Sequence, residues 1–143
     1  GLSCALRSKD EPIAPDTDVY IADTLGELGL FYRLCDISFV GGSLVDKGGH
    51  NPLEPARLGA AILHGPHVFN FDDTYREMRR TGGAALTRNE REIASAARRL
   101  FADNKTRRTM TEAARQTAAA GAERILGEVC NRIDPALPVE TPH

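Results

Sequence analysis

The sequence contains no tryptophan, only two methionines and only three cysteines in 143 residues. Cys4, Cys35 and Cys130 are odd in number, widely spaced and outside any Cys-x-x-Cys pair, which argues against a disulfide framework and a cysteine zinc site. A reducing, cytoplasmic setting suits such a chain. Excess charge is also lacking: the formal net charge of -2 singles out neither nucleic acid nor an anionic membrane as a partner. No apolar run approaches the roughly 20 residues of a membrane-spanning helix, and the start lacks the charged-then-apolar layout of a signal peptide, so this segment is expected to be soluble. Two nucleotide-binding signatures are missing as well. No Gly-Lys-Ser/Thr completes a Walker loop, and no Gly-x-Gly-x-x-Gly spacing occurs. There is no internal repeat.

What is present is an alternation of short apolar runs with amphipathic stretches over a length that suits one domain. Leu2–Leu6 reads as a weak strand and Val19–Ala22 as a better one. Thr24 and Glu27 have capping-box spacing before a helix from Leu25 to Leu34, whose apolar face is Leu28, Phe31, Tyr32 and Cys35. Ile37–Val40 is a strand. Asn51, Pro52 and Glu54 have the residue types of a helix start, for a short helix that stops at Gly59. Ala60–Leu63 is a strand, Asn70 leads a helix to Arg80, and Ala84–Leu86 is a last strand. Thr87 with Glu90 suggests another cap, before a helix with Ile93, Ala97, Leu100 and Phe101 on one face. Asp103 opens a long helical region carrying Met110, Ala113, Ala114, Thr117, Ile125 and Val129, which Gly121 is expected to kink or split. Residues 134–143, with three prolines, read as a loose tail.

This order predicts an α/β fold, Rossmann-like and doubly wound, with a mainly parallel sheet and helices on both faces, over residues 1–133. The chain begins without Met in a strand-like segment, so an N-terminally truncated portion of something longer is expected. In such sheets ligands bind beyond the carboxyl ends of the strands. Three loops leave such ends: Asp23–Glu27, Gly41–Asn51 and Gly65–Asn70. Gly48-Gly49-His50-Asn51 is either a tight turn with an ordinary cap or an anion site, with His50 as a donor. Glu54 is either a capping glutamate or an acceptor for ribose hydroxyls, and Gly26 and Glu27 carry the same duality. His50, His64 and His67 find no carboxylate or cysteine at metal-ligand spacing, so no metal is expected. The arginine pairs 79–80, 98–99 and 107–108 read as solvated helix faces.

Asp23-Thr24-Leu25-Gly26-Glu27-Leu28, Phe39-Val40-Gly41-Gly42-Ser43-Leu44, Gly48-Gly49-His50-Asn51-Pro52-Leu53-Glu54-Pro55 and Gly65-Pro66-His67 occur in that order. Together they resemble the donor half of bacterial 3-deoxy-D-manno-octulosonic acid (Kdo) transferases, a likeness covering roughly Val19 to Leu86. Leu25 stands where many relatives have Met. The resemblance implies the C-terminal half of a GT-B glycosyltransferase, moving Kdo from CMP-Kdo to a lipid A precursor at the cytoplasmic face of the inner membrane, in lipopolysaccharide inner-core synthesis. It implies CMP binding by Leu25, Gly26 and Glu27 and by Gly48, Gly49, His50, Asn51, Pro52, Leu53 and Glu54. Thr24, Gly42, Ser43, Pro66 and His67 are further candidates on the same loops. The acceptor, the catalytic acidic residue and the membrane contact would belong to an N-terminal half outside this chain, and the segment alone would be inactive. No cofactor is implied. Two alternatives stay open: a GT-B transferase for another nucleotide sugar, and a non-catalytic nucleotide- or partner-binding domain.

Overall fold

The computed structural model describes residues 1–133, with side chains as far as Glu123. Five strands alternate with helices: β1 (Cys4–Leu6), β2 (Val19–Ile21), α1 (Leu28–Leu34), β3 (Ile37–Val40), α2 (Leu53–Arg57), β4 (Ala61–His64), α3 (Asp72–Thr81), β5 (Ala84–Leu86), α4 (Glu90–Ala102) and α5 (Asn104–Ile133). All pairings are parallel, and they form two ladders, β1-β2 and β3-β4-β5. The expected parallel α/β architecture is therefore present, in two pieces. Every loop that follows a strand leaves from a carboxyl end on its own ladder's same side.

Central strand β4 is buried along its whole length, and its alternating side chains build both cores. Ile62 packs with Val40, Ala56, Tyr75, Met78, Ala114 and Ala118 under α2, α3 and α5. Ala61 and Leu63 face the other way, onto Leu100 of α4 and Met110 near the start of α5. Full burial of Ile62 or Leu63 contributes about 1.5–3 kcal/mol each. The alanines let helix backbones approach the sheet closely, which is why a chain with so few aromatics still closes a core. Arg107 ties α5 to the head of β3 through Asp36 at 3.3 Å.

Several local expectations are corrected. Thr24 does not cap a helix at Leu25. Its hydroxyl bonds to the Glu27 carboxylate, residues 24–26 form a bend, and α1 starts at Leu28. Gly26 sits in that bend at φ +85°, a left-handed conformation that favours glycine, so its place before the helix is conformational. Leu28 and Cys35 are exposed, and only Phe31 and Tyr32 of the expected face are half-buried. Asn89, and not Thr87, caps α4 by accepting from the Glu92 N–H, while Thr87 is buried and donates to the His64 carbonyl. Phe101 points outward and Leu100 inward. Helix α5 runs through Gly121 without interruption. The side chains of Ile125 and Val129 and the expected tail at 134–143 lie outside the described residues.

Candidate functional site

The loops after β3 and β4 are fastened to each other. Ser43, fully buried, donates its hydroxyl to the Val40 carbonyl at 2.6 Å and accepts the Gly65 N–H at 2.8 Å. The His67 N–H reaches the Ser43 carbonyl at 2.9 Å, and the Asn70 N–H reaches that of Gly48 at 3.0 Å. Close approach explains the glycines here: a Cβ at Gly48 would lie 2.5 Å from the Asn70 side-chain nitrogen. The turn closes on itself through Gly49 N–H to Gly42 and His50 N–H to Gly41, at 3.0 and 3.2 Å. Beneath it, buried Tyr75 donates its hydroxyl to the His50 carbonyl at 2.9 Å. Tyr75 also packs on the buried ring of His64, whose Nδ1 meets the Gly65 carbonyl at 2.6 Å. That contact assigns the proton to Nδ1 and leaves Nε2 facing Arg79 at 3.5 Å. Burial, and then the Arg79 charge, hold the His64 pKa below the ordinary histidine value.

These bonds change what the glycine loop can offer. The amides of Gly49 and His50 are engaged inside the turn, so they are not open to an anion, and Ser43's hydroxyl has both its partners within the protein. Donor capacity falls instead to exposed side chains. Asn51 accepts the Leu53 N–H at 3.0 Å through Oδ1, which leaves its Nδ2 facing outward as a donor. The His50 ring lies over Gly42, where a Cβ would come within 3.2 Å of Nε2. Glu54 makes no capping-box bond: its carboxylate reaches α1, where a Cβ at Gly29 would lie 3.6 Å from Oε1. Tyr32 on α1 is raised above the ordinary tyrosine value by burial and next by the Glu54 charge. The start of α2 and the start of α1 therefore share one wall.

The loop after β2 joins from the α1 side. Leu25 is fully exposed, and Glu27 carries a bidentate contact from Arg7, at 3.0 and 2.9 Å. Arg7 first, and then Thr24, hold the Glu27 carboxyl below the usual carboxylate range. Of the predicted residues, Gly42, Ser43, Gly48–Pro52, Pro66 and His67 thus fall on the interlocked pair of loops, and Leu53 opens α2. Glu54 bridges to α1, and Thr24–Glu27 lie just before it. His67 is half-exposed, with Nδ1 3.9 Å from Asp46. Arg7, Tyr75 and His64 were not singled out as site residues by sequence. A groove of about 580 Å³ lies between α2, α3 and α5, and of the predicted residues it is lined by Leu53. Among the described residues no group of three or more His, Cys, Asp or Glu could hold a metal ion, and no helix is long and apolar enough to cross a membrane.

Comparison with known proteins bears out the resemblance read from the motifs. The chain is 40% identical over 124 residues to a 3-deoxy-D-manno-octulosonic acid transferase from Bordetella pertussis, covering 85% of this chain and 29% of that protein. It is 49% identical over 70 residues to the transferase of that description from Haemophilus influenzae, covering 49% and 16% of the two chains. In fold it matches the crystal structure of the C-terminal CMP-Kdo binding domain of WaaA from Acinetobacter baumannii. That match has a TM-score of 0.78 and 32% identity, and it covers 81% of this chain and 61% of that one. No family model matches the sequence. The chain spans under a third of the length of these curated relatives.

Proposed function

We propose that this chain is the donor-binding portion of a Kdo transferase and that it holds the CMP moiety of CMP-Kdo between the Gly48–Glu54 segment and the Leu25–Glu27 bend. What supports this reading is the likeness to a domain that binds CMP-Kdo, in a chain where Glu54 reaches Gly29 near the start of α1, just beyond the Leu25–Glu27 bend. Asn51 Nδ2 and the His50 ring serve as donors to the phosphate, and Glu54 accepts from ribose hydroxyls. Gly48, Gly49, Pro52 and Leu53 shape the wall, and Leu25 and Gly26 face the nucleotide. Neutral donors fixed in this way would stabilise the charge that grows on the departing CMP. The lipid A precursor, the group that activates it and the membrane contact belong to the rest of the protein. Transfer takes place at the cytoplasmic face of the inner membrane, and this portion alone is inactive.

Steady-state kinetics of the full-length protein with Asn51→Ala and Glu54→Ala test the assignment. Each should raise the donor KM by about tenfold or more, the loss expected for a hydrogen bond to a charged or fully engaged polar group. Unchanged donor KM and kcat in both would refute it. Stronger inhibition by UDP than by CMP would point to another nucleotide sugar.

A further inference from the structure

Glu27 is gripped from a distant part of the chain. Arg7 presents Nε and Nη2 side-on to its two carboxylate oxygens at 3.0 and 2.9 Å, and Thr24 adds its hydroxyl. Twenty residues separate Arg7 from Glu27. Parallel pairing of β1 with β2 brings them together, because it sets the loops that follow the two strands side by side. A second tie repeats the join: Ser8 gives its N–H and hydroxyl to the two oxygens of Asp23, at 2.8 and 2.6 Å. Arg7 is itself steadied by Asp10 at 2.8 Å.

The bend between β2 and α1 needs these ties. Leu25 is fully exposed, Gly26 is exposed, and α1 buries no residue fully, so packing does little to fix residues 24–27. Three of the roughly four lone-pair positions of the Glu27 carboxylate are filled by Arg7 and Thr24. Its side chain is accordingly more a strut for the bend than a free acceptor. A planar guanidinium matches a carboxylate in this side-on way and an ammonium does not.

The geometry points to Arg7 as a positioning residue of the donor site: through Glu27 and Thr24 it sets Leu25, Gly26 and Glu27 in the conformation that receives the nucleotide. This rests on the CMP-Kdo reading above. Arg7 also holds Glu27 ionised, which keeps the strut engaged.

The test is steady-state kinetics of the full-length protein, varying CMP-Kdo and acceptor separately, for Arg7→Ala, Arg7→Lys, Glu27→Ala and the Arg7→Ala/Glu27→Ala double variant. Arg7→Ala should raise the donor KM by about tenfold with little change in acceptor KM, and Arg7→Lys should recover only part of the loss. The double variant should be no worse than Glu27→Ala alone, because Arg7 acts through Glu27. Arg80→Ala is the control. It breaks an Arg–Glu fork of the same form on α3, with Glu77 at 2.8 and 2.6 Å, and should leave donor KM unchanged. The proposal is overturned if Arg7→Ala leaves donor KM unchanged, raises acceptor KM equally, or adds fully to Glu27→Ala. If Asn51→Ala and Glu54→Ala raise donor KM while Arg7→Ala does not, only the role of Arg7 falls. If none of the three raises it, the CMP-Kdo reading falls and takes this proposal with it.

Discussion

Gly65→Ala should destabilise the protein and weaken donor binding together. A Cβ at Gly65 would lie 2.7 Å from the Leu44 nitrogen and closer still to the carbonyl carbon and oxygen of Ser43. All three are backbone atoms, so no side chain can rotate out of the way. Gly65 is not among the residues at positive φ, so alanine there escapes the left-handed penalty. On chain entropy alone alanine would even be favoured, by about 0.4–1 kcal/mol. The clash reverses that sign. Making room requires the loop after β3 to retreat by more than an ångström, which breaks the bonds from Gly65 N–H to Ser43 Oγ and from His67 N–H to the Ser43 carbonyl. Crowding of about 1–3 kcal/mol and two hydrogen bonds of about 0.5–1.5 kcal/mol each, less that entropy gain, give a net loss of about 1–5.5 kcal/mol. For a chain of this size that is a fall of roughly 3–16 °C in Tm. Gly59→Ala is the matched comparison. Gly59 sits at φ +96° with nothing within 4 Å of a Cβ, so its cost of about 1–2 kcal/mol is conformational and should leave donor KM untouched. Thermal unfolding followed by far-ultraviolet circular dichroism, paired with donor KM, separates the two. A Gly65→Ala protein as stable as wild type, with normal donor KM, would refute the reasoning.

Ser43→Ala leaves the Gly65 N–H buried without its partner and should cost about 1–3 kcal/mol in urea unfolding, with the slope against urea unchanged; a loss within error of zero would show that the two loops are not joined there. His64 predicts a pH dependence. Its native pKa lies below the ordinary value, whereas the unfolded chain takes up a proton as pH falls through about 6.5. The stability this adds is complete above that pH and is lost as pH drops towards the native pKa. Stability measured between about pH 5 and 6.5 should therefore fall with acid in wild type and less steeply in His64→Gln. An identical slope in both would count against a neutral buried ring. The carboxylates of Asp23 and Glu27, lowered by Ser8 and by Arg7 with Thr24, lose their contribution only at lower pH, so the two effects occupy separate windows.

The strands Ile37–Val40 and Ala84–Leu86 could be read from sequence to the residue, because each is a short, mainly apolar run bounded on one side by glycine. The glycine-rich loops announced themselves in the same way. Capping was harder to read. Thr24 and Glu27 have the spacing of a box, but the threonine hydroxyl meets the glutamate side chain, since Arg7 has already drawn that carboxylate away from the helix end. Thr87 has a similar spacing to Glu90 and is instead drawn into the core by the His64 carbonyl. Arg7 was invisible for a related reason. Its partner lies twenty residues on, and only the register of β1 on β2 makes them neighbours. Tyr75 lies in the middle of α3, and only the fold places its hydroxyl under the glycine turn.

The junction of Ser43 and Gly48 with Gly65 and Asn70 has a consequence for exchanging parts between relatives. Residues 41–51 and 64–70 form a single cassette, in which the bulk allowed in one loop is set by the backbone of the other. A donor-specificity swap that transplants either stretch alone would bring two halves that do not fit, whereas the bend at 23–27 can travel with residues 7–10, to which its ties run.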